Sequence, residues 1–163
     1  MKMLIGLGNP GKKYANNRHN VGQMFVDYLL KDQRSNIKNQ SQVKILKTDC
    51  FMNESGIFVK KLLSNFRTFK LLNLIVVHDD LDIPFGKFHI QFGVGPQLHN
   101  GLESIENHLK TKDFWRIRIG VDNRPGKVPG ETYVLHNFTE EELKNLKEII
   151  FPKIFSQLKL QLI

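Results

Sequence analysis

The chain has a single cysteine, Cys50, among 163 residues. An internal disulfide framework is thereby excluded, and a reducing compartment is the expected setting. Cys50 itself is expected to be a small buried thiol rather than a nucleophile. Long apolar runs are missing as well, and none approaches the length of a membrane span. The N-terminus leads directly into a candidate strand, and no signal or transit pattern is read there. There is no internal repeat and no low-complexity tract. Acidic residues are under-represented: 16 Asp and Glu face 24 Lys and Arg, leaving a net charge of +8. Such a field attracts polyanions, nucleic acid above all, although a Lys-rich surface can also serve solubility alone. What remains is ordinary globular composition, 40% hydrophobic and 25% charged. The length fits one domain, residues 1–163, large enough to bury a core.

The apolar pattern alternates between strand and helix periods. Residues 3–7 read as a buried strand, and Asn20 with Gln23 reads as a capping box. The helix it opens carries Val21, Met24, Phe25, Tyr28 and Leu29 on one face. Residues 31–42, "KDQRSNIKNQSQ", form a polar connection before the short strand "VKILK". "DCFMNESG" is a loop entering a helix with Val59, Leu62, Leu63 and Phe66 at helical spacing. "NLIVVHDD" is an apolar strand ending in charge, "IPFG" a turn and "KFHIQF" a returning strand. A further helix begins near Asn100, with Leu102, Ile105 and Leu109 inward. "FWRIRIGV" places Trp115, Ile117, Ile119 and Val121 on one face and Arg116 and Arg118 on the other. Thr139 and Glu142 form a second capping box ahead of a closing helix, which Pro152 is expected to kink. The expected fold is α/β, a twisted mixed sheet flanked by helices, with the hairpin supplying the antiparallel strand.

"LIGLGNPG" spells G-x-G-x-x-G with Gly6, Gly8 and Gly11 directly after an apolar run. A dinucleotide turn needs a helix N-terminus within the motif to meet the pyrophosphate. Here Pro10 interrupts it, and the polar "KKYANNRHN" follows before the helical period begins. No second strand closes on a ribose-binding acid roughly 20 residues further on. The glycines are instead expected to shape a turn presenting Asn9 and to let the backbone approach a ligand closely. With Asn20 as cap, His19 would precede the positive helix end, which favours the neutral imidazole that a general base requires. A surface histidine beside a cap fits the residues equally well.

Other polar groups gather where loops meet apolar elements. Asn53 follows Phe51 and Met52, and His99 and Asn100 stand at a helix start. His78, Asp79, Asp80 and Asp82 close the buried strand, a favoured location for sites in open α/β sheets. Clustered carboxylates with a histidine suit a hard cation, as in a metal-dependent phosphohydrolase. Strand alternation argues against it, because His78 and Asp79 point to opposite faces. A single carboxylate orienting a histidine from elsewhere is the favoured role.

Taken in order, "GLGNPGKKYANNRHNVG", "FMNESG", "VVHDDLDIPFGK" and "HNGL" resemble the bacterial-type peptidyl-tRNA hydrolase family, supported by "FWRIRIGV" and "YVL". The resemblance runs from Leu4 to about Leu135. It implies hydrolysis of the ester between a peptide and the terminal ribose of tRNA, with no cofactor or metal; a monomer is the default expectation. It also implies His19 as the base and Asp79 as the aspartate that orients it. Asn9, Asn53 and Asn100 match the substrate-binding asparagines, while Tyr14 and Met52 match cleft residues and His99 joins them beside Asn100. Arg118 matches a basic group on the tRNA 5′-phosphate, but Gln91 stands where a lysine is expected. Pro96, Gln97 and Leu98 replace part of a glycine-rich run, and the stretch from Lys31 to Lys47 is shorter than usual. A bacterial cytoplasm and a mitochondrial matrix both fit. A non-catalytic RNA-binding relative, of the kind found among organellar splicing factors, is the competing expectation.

Overall fold

The structure, a computed structural model, describes residues 1–31 and 42–162. The polar connection expected over 31–42 lies almost wholly outside them.

Five strands form one mixed sheet: β1 (Lys2–Gly6), β2 (Val43–Lys47), β3 (Leu74–Pro84), β4 (Phe88–Phe92) and β5 (Trp115–Asp122). Their spatial order is β2-β1-β3-β5-β4. The β1–β2, β1–β3 and β3–β5 pairs are parallel, and β4 runs antiparallel to β5. The sheet is mixed as expected, but not through a β3–β4 hairpin. After the turn at Phe85–Gly86 the chain skips a position, and β5 later inserts between the two strands. The apolar run of β5, buried from Arg116 to Val121, suits a central strand, whereas β4 alternates and takes the edge.

Helices cover both faces. On one, α1 (Val21–Lys31) and α6 (Phe151–Gln161) pack against Leu4, Ile75, Val77, Ile117 and Ile119. On the other, α2 (Ser55–Ser64) and α3 (Asn100–Leu109) cover Met3, Ile5, Leu74 and Val76. The faces follow the two-residue strand period, so β1, β2 and β3 feed both cores, while the apolar residues of β4 and β5 join the first.

The glycine turn is not a dinucleotide turn: α1 begins only at Val21, after short 3₁₀ turns at Lys12–Tyr14 and Arg18–Asn20. Nor do Gly6 and Gly8 open a path to a ligand. A Cβ on Gly6 would collide with the Gly22 carbonyl of α1, and one on Gly8 with the side chains of Gln23 and Asn20. The small size of Gly6 lets β1 and α1 touch backbone to backbone, and that of Gly8 makes room for the Gln23 and Asn20 side chains.

The Asn20–Gln23 capping box is absent. Gln23 Nε2 reaches the carbonyls of Gly8 and Thr48 at 3.1 and 2.8 Å, and Asn20 turns to Asn9. Tertiary partners out-compete the local cap. The Thr139–Glu142 box does form, opening α5 (Glu140–Asn145). Between α5 and α6 lies a π-helical turn, Leu146–Ile150, immediately before Pro152. The wider turn accommodates a residue that has no N–H to donate. A short helix α4 (Gly130–Tyr133) completes the fold.

Candidate active site

A cleft of about 730 Å³ opens at the C-terminal ends of β1 and β3, lined among others by Asn9, His19, Met52, Asn53, Asp79, His99 and Asn100. Residues from widely separated stretches of sequence meet there, and strand β3 supplies the centre.

His19 Nδ1 lies 2.8 and 2.9 Å from the two Asp79 carboxylate oxygens. His99 Nε2 lies 2.8 Å from Asp79 Oδ1. His99 is also the N-cap of α3, its Nδ1 accepting from the Leu102 N–H at 3.2 Å. A nitrogen that accepts an N–H carries no proton, so the tautomer of neutral His99 is settled: Nε2–H donates to Asp79. His19 likewise donates from Nδ1, which leaves its Nε2 for a water in the cleft. The two imidazole centroids are 5.0 Å apart.

The electrostatics follow from this arrangement. Burial pushes His19 down, but the charge of Asp79 and its hydrogen bond outweigh that and hold His19 above its ordinary 6.5. Burial alone would raise Asp79; both histidines and their hydrogen bonds reverse the sign and keep it far below the usual carboxylate range. A helix end was expected to keep His19 neutral, with a surface histidine beside a cap as the alternative. It is instead 8% exposed and biased toward imidazolium by a carboxylate. Contact with an ionised group overrides a helix terminus whose cap is not made.

Asn9 is clamped on both sides. Its N–H donates to Asn20 Oδ1 at 2.9 Å, and its carbonyl accepts from Asn20 Nδ2 at 2.9 Å. Its own Oδ1 accepts the Met52 N–H at 2.8 Å. That bond fixes the amide orientation, so Asn9 Nδ2 is the atom left to donate into the cleft. Asn53 and Asn100 are exposed on the cleft wall, and Met52 is buried beneath it. Tyr14 does not line the cleft; it stands behind Phe51, edge-on at 6.2 Å. Cys50 is half-buried rather than buried, and burial together with Asp49 and Glu54 raises its thiol, against a nucleophilic role.

The acidic run does not converge as a metal site would require. His78 Nδ1 donates to the Asp79 carbonyl at 2.7 Å, Asp80 pairs with Arg118, and Asp82 accepts the Gln97 N–H at 2.9 Å. Strand alternation separates them, as expected. His19, Asp79 and His99 do bring ligand-type atoms within 4.8 Å of one another. With both histidines donating to Asp79, that set is a hydrogen-bonded triad, and a cation would have to displace both protons.

Arg118 sits on the same face of β5 as Arg116, next to His89 of β4. It is buried rather than free: Nε reaches Asp80 Oδ2 at 2.7 Å and Nη1 reaches Gln91 Oε1 at 2.7 Å. Position and neighbour agree with the expectation, and the full charge does not. The sequence reading also missed the wall formed by Pro129, Gly130, Glu131, Val134 and Leu135. It is held by Arg18, which stacks on Tyr133 at 4.1 Å, bonds the Asn137 carbonyl at 2.8 Å and pairs with Glu142 at 2.9 Å. The signal available was "YVL", which the resemblance contained but the local pattern could not assign.

Comparison with known proteins agrees with this geometry. The sequence model of a family described as peptidyl-tRNA hydrolase matches residues 3–161. The chain is 40% identical over 159 residues to a peptidyl-tRNA hydrolase of Pseudothermotoga lettingae, covering 92% of this chain and 84% of that one. With the enzyme of Mycobacterium avium it shares 39% over 161 residues, covering 90% and 84%. Among solved structures, the peptidyl-tRNA hydrolase of Acinetobacter baumannii superposes with a TM-score of 0.81 at 28% identity, covering 98% of this chain and 87% of that one.

Proposed function

The chain belongs to the peptidyl-tRNA hydrolase family, and on that premise we propose that it hydrolyses the ester joining a peptide to tRNA, with His19 as general base. The observation that carries this reading is the His19–Asp79 pair facing the cleft beside the clamped Asn9. His19 Nε2 takes a proton from water as the hydroxide equivalent attacks the ester carbonyl. Asp79 stabilises the imidazolium that forms and holds Nδ1–H in the productive tautomer. His99, which donates to the same Oδ1 of Asp79 that His19 reaches, limits the rotation of that carboxylate. Asn9 Nδ2 donates to the carbonyl oxygen as negative charge develops on it, a fixed dipole that does not titrate. Collapse of the tetrahedral intermediate returns the proton from His19 to the departing ribose oxygen.

Met52, Asn53, His99 and Asn100 contact the substrate, with Tyr14 supporting Phe51 from behind. Arg118 contacts the tRNA 5′-phosphate with a charge partly cancelled by Asp80. Residues 1–163 act as one domain and a monomer. The reaction needs no cofactor or metal from these residues. The compared relatives are bacterial, which supports a cytoplasmic setting. Among the described residues no helix is long and apolar enough to cross a membrane. The test is hydrolysis of N-acetylaminoacyl-tRNA by the chain and by His19→Ala: release of tRNA by the first and its loss in a folded second is the expected result. Full activity in chelator separates this reading from the metal-dependent one.

A further inference from the structure

Phe51, Leu98 and Leu135 are 53%, 86% and 46% exposed, and all of them line the cleft that holds His19. Large apolar side chains open to water inside a cleft mark it as a surface that binds apolar groups. Leu98 is the most exposed of the group, yet it is not on a free loop tip. The N–H of its neighbour Gln97 donates to Asp82 Oδ2 at 2.9 Å. Its other neighbour, His99, is pinned between Asp79 and the Leu102 N–H. Leu98 is thus presented from a segment fixed at both ends. Leu81, resting against Gly130, and Pro129, Val134 and Leu135 supply further apolar lining of the same cleft.

We propose that Leu98, with Leu81 and Leu135, forms an apolar subsite for the side chain of the amino acid ester-linked to tRNA, and makes this chain favour apolar residues there. The inference rests on the hydrolase reading above. Leu98 is bonded in sequence to His99, whose ring lies 5.0 Å from that of His19. Its Cα is therefore about 3.8 Å from that of a residue touching the catalytic pair. The first side chain beside the scissile carbonyl is the one within reach. Among the described residues no lysine or arginine lines the cleft, so the Leu81–Leu98–Leu135 wall offers no permanent cation to an acidic side chain.

The experiment uses one tRNA charged with N-acetylleucine, N-acetylserine or N-acetylglycine, and compares kcat/KM for the unaltered chain, Leu98→Ser and Leu98→Met. A methylene or two in an apolar pocket discriminates by roughly 10–200-fold, and an open-sided wall belongs near the lower end. The unaltered chain is expected to favour the leucyl over the glycyl and seryl esters by about 5–10-fold. Leu98→Ser is expected to bring that ratio close to one, and Leu98→Met to keep it. An unaltered ratio in Leu98→Ser overturns the subsite. So does an equal fall for every ester, which would assign Leu98 to the terminal adenosine instead. Failure of the unaltered chain to cleave any of the three esters overturns the hydrolase reading, whereas cleavage of all esters at one rate overturns the subsite alone.

Discussion

Asp79 and Asp80 are consecutive on β3 and 2% and 1% exposed, yet their carboxylates face different partners and different tasks. Asp79 turns toward the cleft and accepts from two histidines. Asp80 turns the other way, pairs with Arg118 and accepts the Asp82 N–H at 2.9 Å. Strand alternation makes the separation automatic. One acid is bound to groups that can move a proton, the other to a guanidinium that cannot. The same buried charge therefore serves two imidazoles in one position and neutralises a guanidinium in the next.

The sharpest way to break this contrast is to remove the charge of each acid separately. Asp79→Asn is expected to cut turnover by about 10²–10⁴-fold, as loss of general-base function does. Its tRNA affinity should stay close to the original. In the unaltered chain the acid limb of the kcat/KM profile should have its midpoint above 6.5, since Asp79 raises His19. In Asp79→Asn only burial remains to act on His19, so the midpoint should fall below 6.5. A midpoint that does not move would detach Asp79 from the base.

Asp80→Asn is the matching experiment on the other face. It leaves the Arg118 guanidinium buried without its anion, and a loss of about 1–3 kcal/mol in denaturant-derived stability is expected, part of the bond being kept by the amide. Turnover should change far less than in Asp79→Asn. Equal losses of activity in the two variants would end the distinction.

A smaller effect comes from His78, fully buried one position before Asp79 on β3. Burial, with His99 and Arg116 nearby, holds it well below 6.5. The unfolded chain therefore binds more protons than the folded one below 6.5, and acid destabilises the fold through this residue. His19, raised, acts in the opposite sense: its contribution is full below 6.5 and is lost as pH rises through its folded value. Asp79 adds stability that is retained at neutral pH and lost only in stronger acid. His78→Asn keeps a donor for the Asp79 carbonyl but cannot titrate. The gap between its thermal midpoints at pH 5 and pH 7.5 should be narrower than in the unaltered chain.

The smallest expected effect tests the Arg118 face as an RNA contact. Gln91→Lys replaces the acceptor of Arg118 Nη1 with a second cation. It should tighten tRNA binding at low salt and steepen the salt slope by about 0.7–0.9. The change should largely disappear on tRNA lacking its 5′-phosphate. An unchanged slope would move the phosphate away from this face.

Much of the site was legible before the fold. His19, Asp79 and the asparagines stood in motifs whose order carried the family resemblance, and alternation along β3 separated Asp79 from His78 and Asp80. Other features were illegible for definite reasons. That His99 and His19 share one carboxylate depends on three stretches meeting at a strand end. That Asn20 clamps Asn9 instead of capping α1 depends on a partner eleven positions away. The Arg118–Asp80 pair, 38 residues apart, turned an expected free cation into a buried one.

The sequence by itself determined the alternation of strands and helices, the periodic faces that become the two cores and the Thr139–Glu142 cap. All of these depend on neighbours within one or two turns of chain, where spacing dictates geometry. Only the tertiary structure decided that β5 parts β3 from β4, that His19 is buried and raised by Asp79 rather than kept neutral by a helix end, and that Leu98 is held open over the cleft. Those outcomes are set by which distant groups compete for each donor, acceptor and charge, and that competition exists only once the sheet has closed around them.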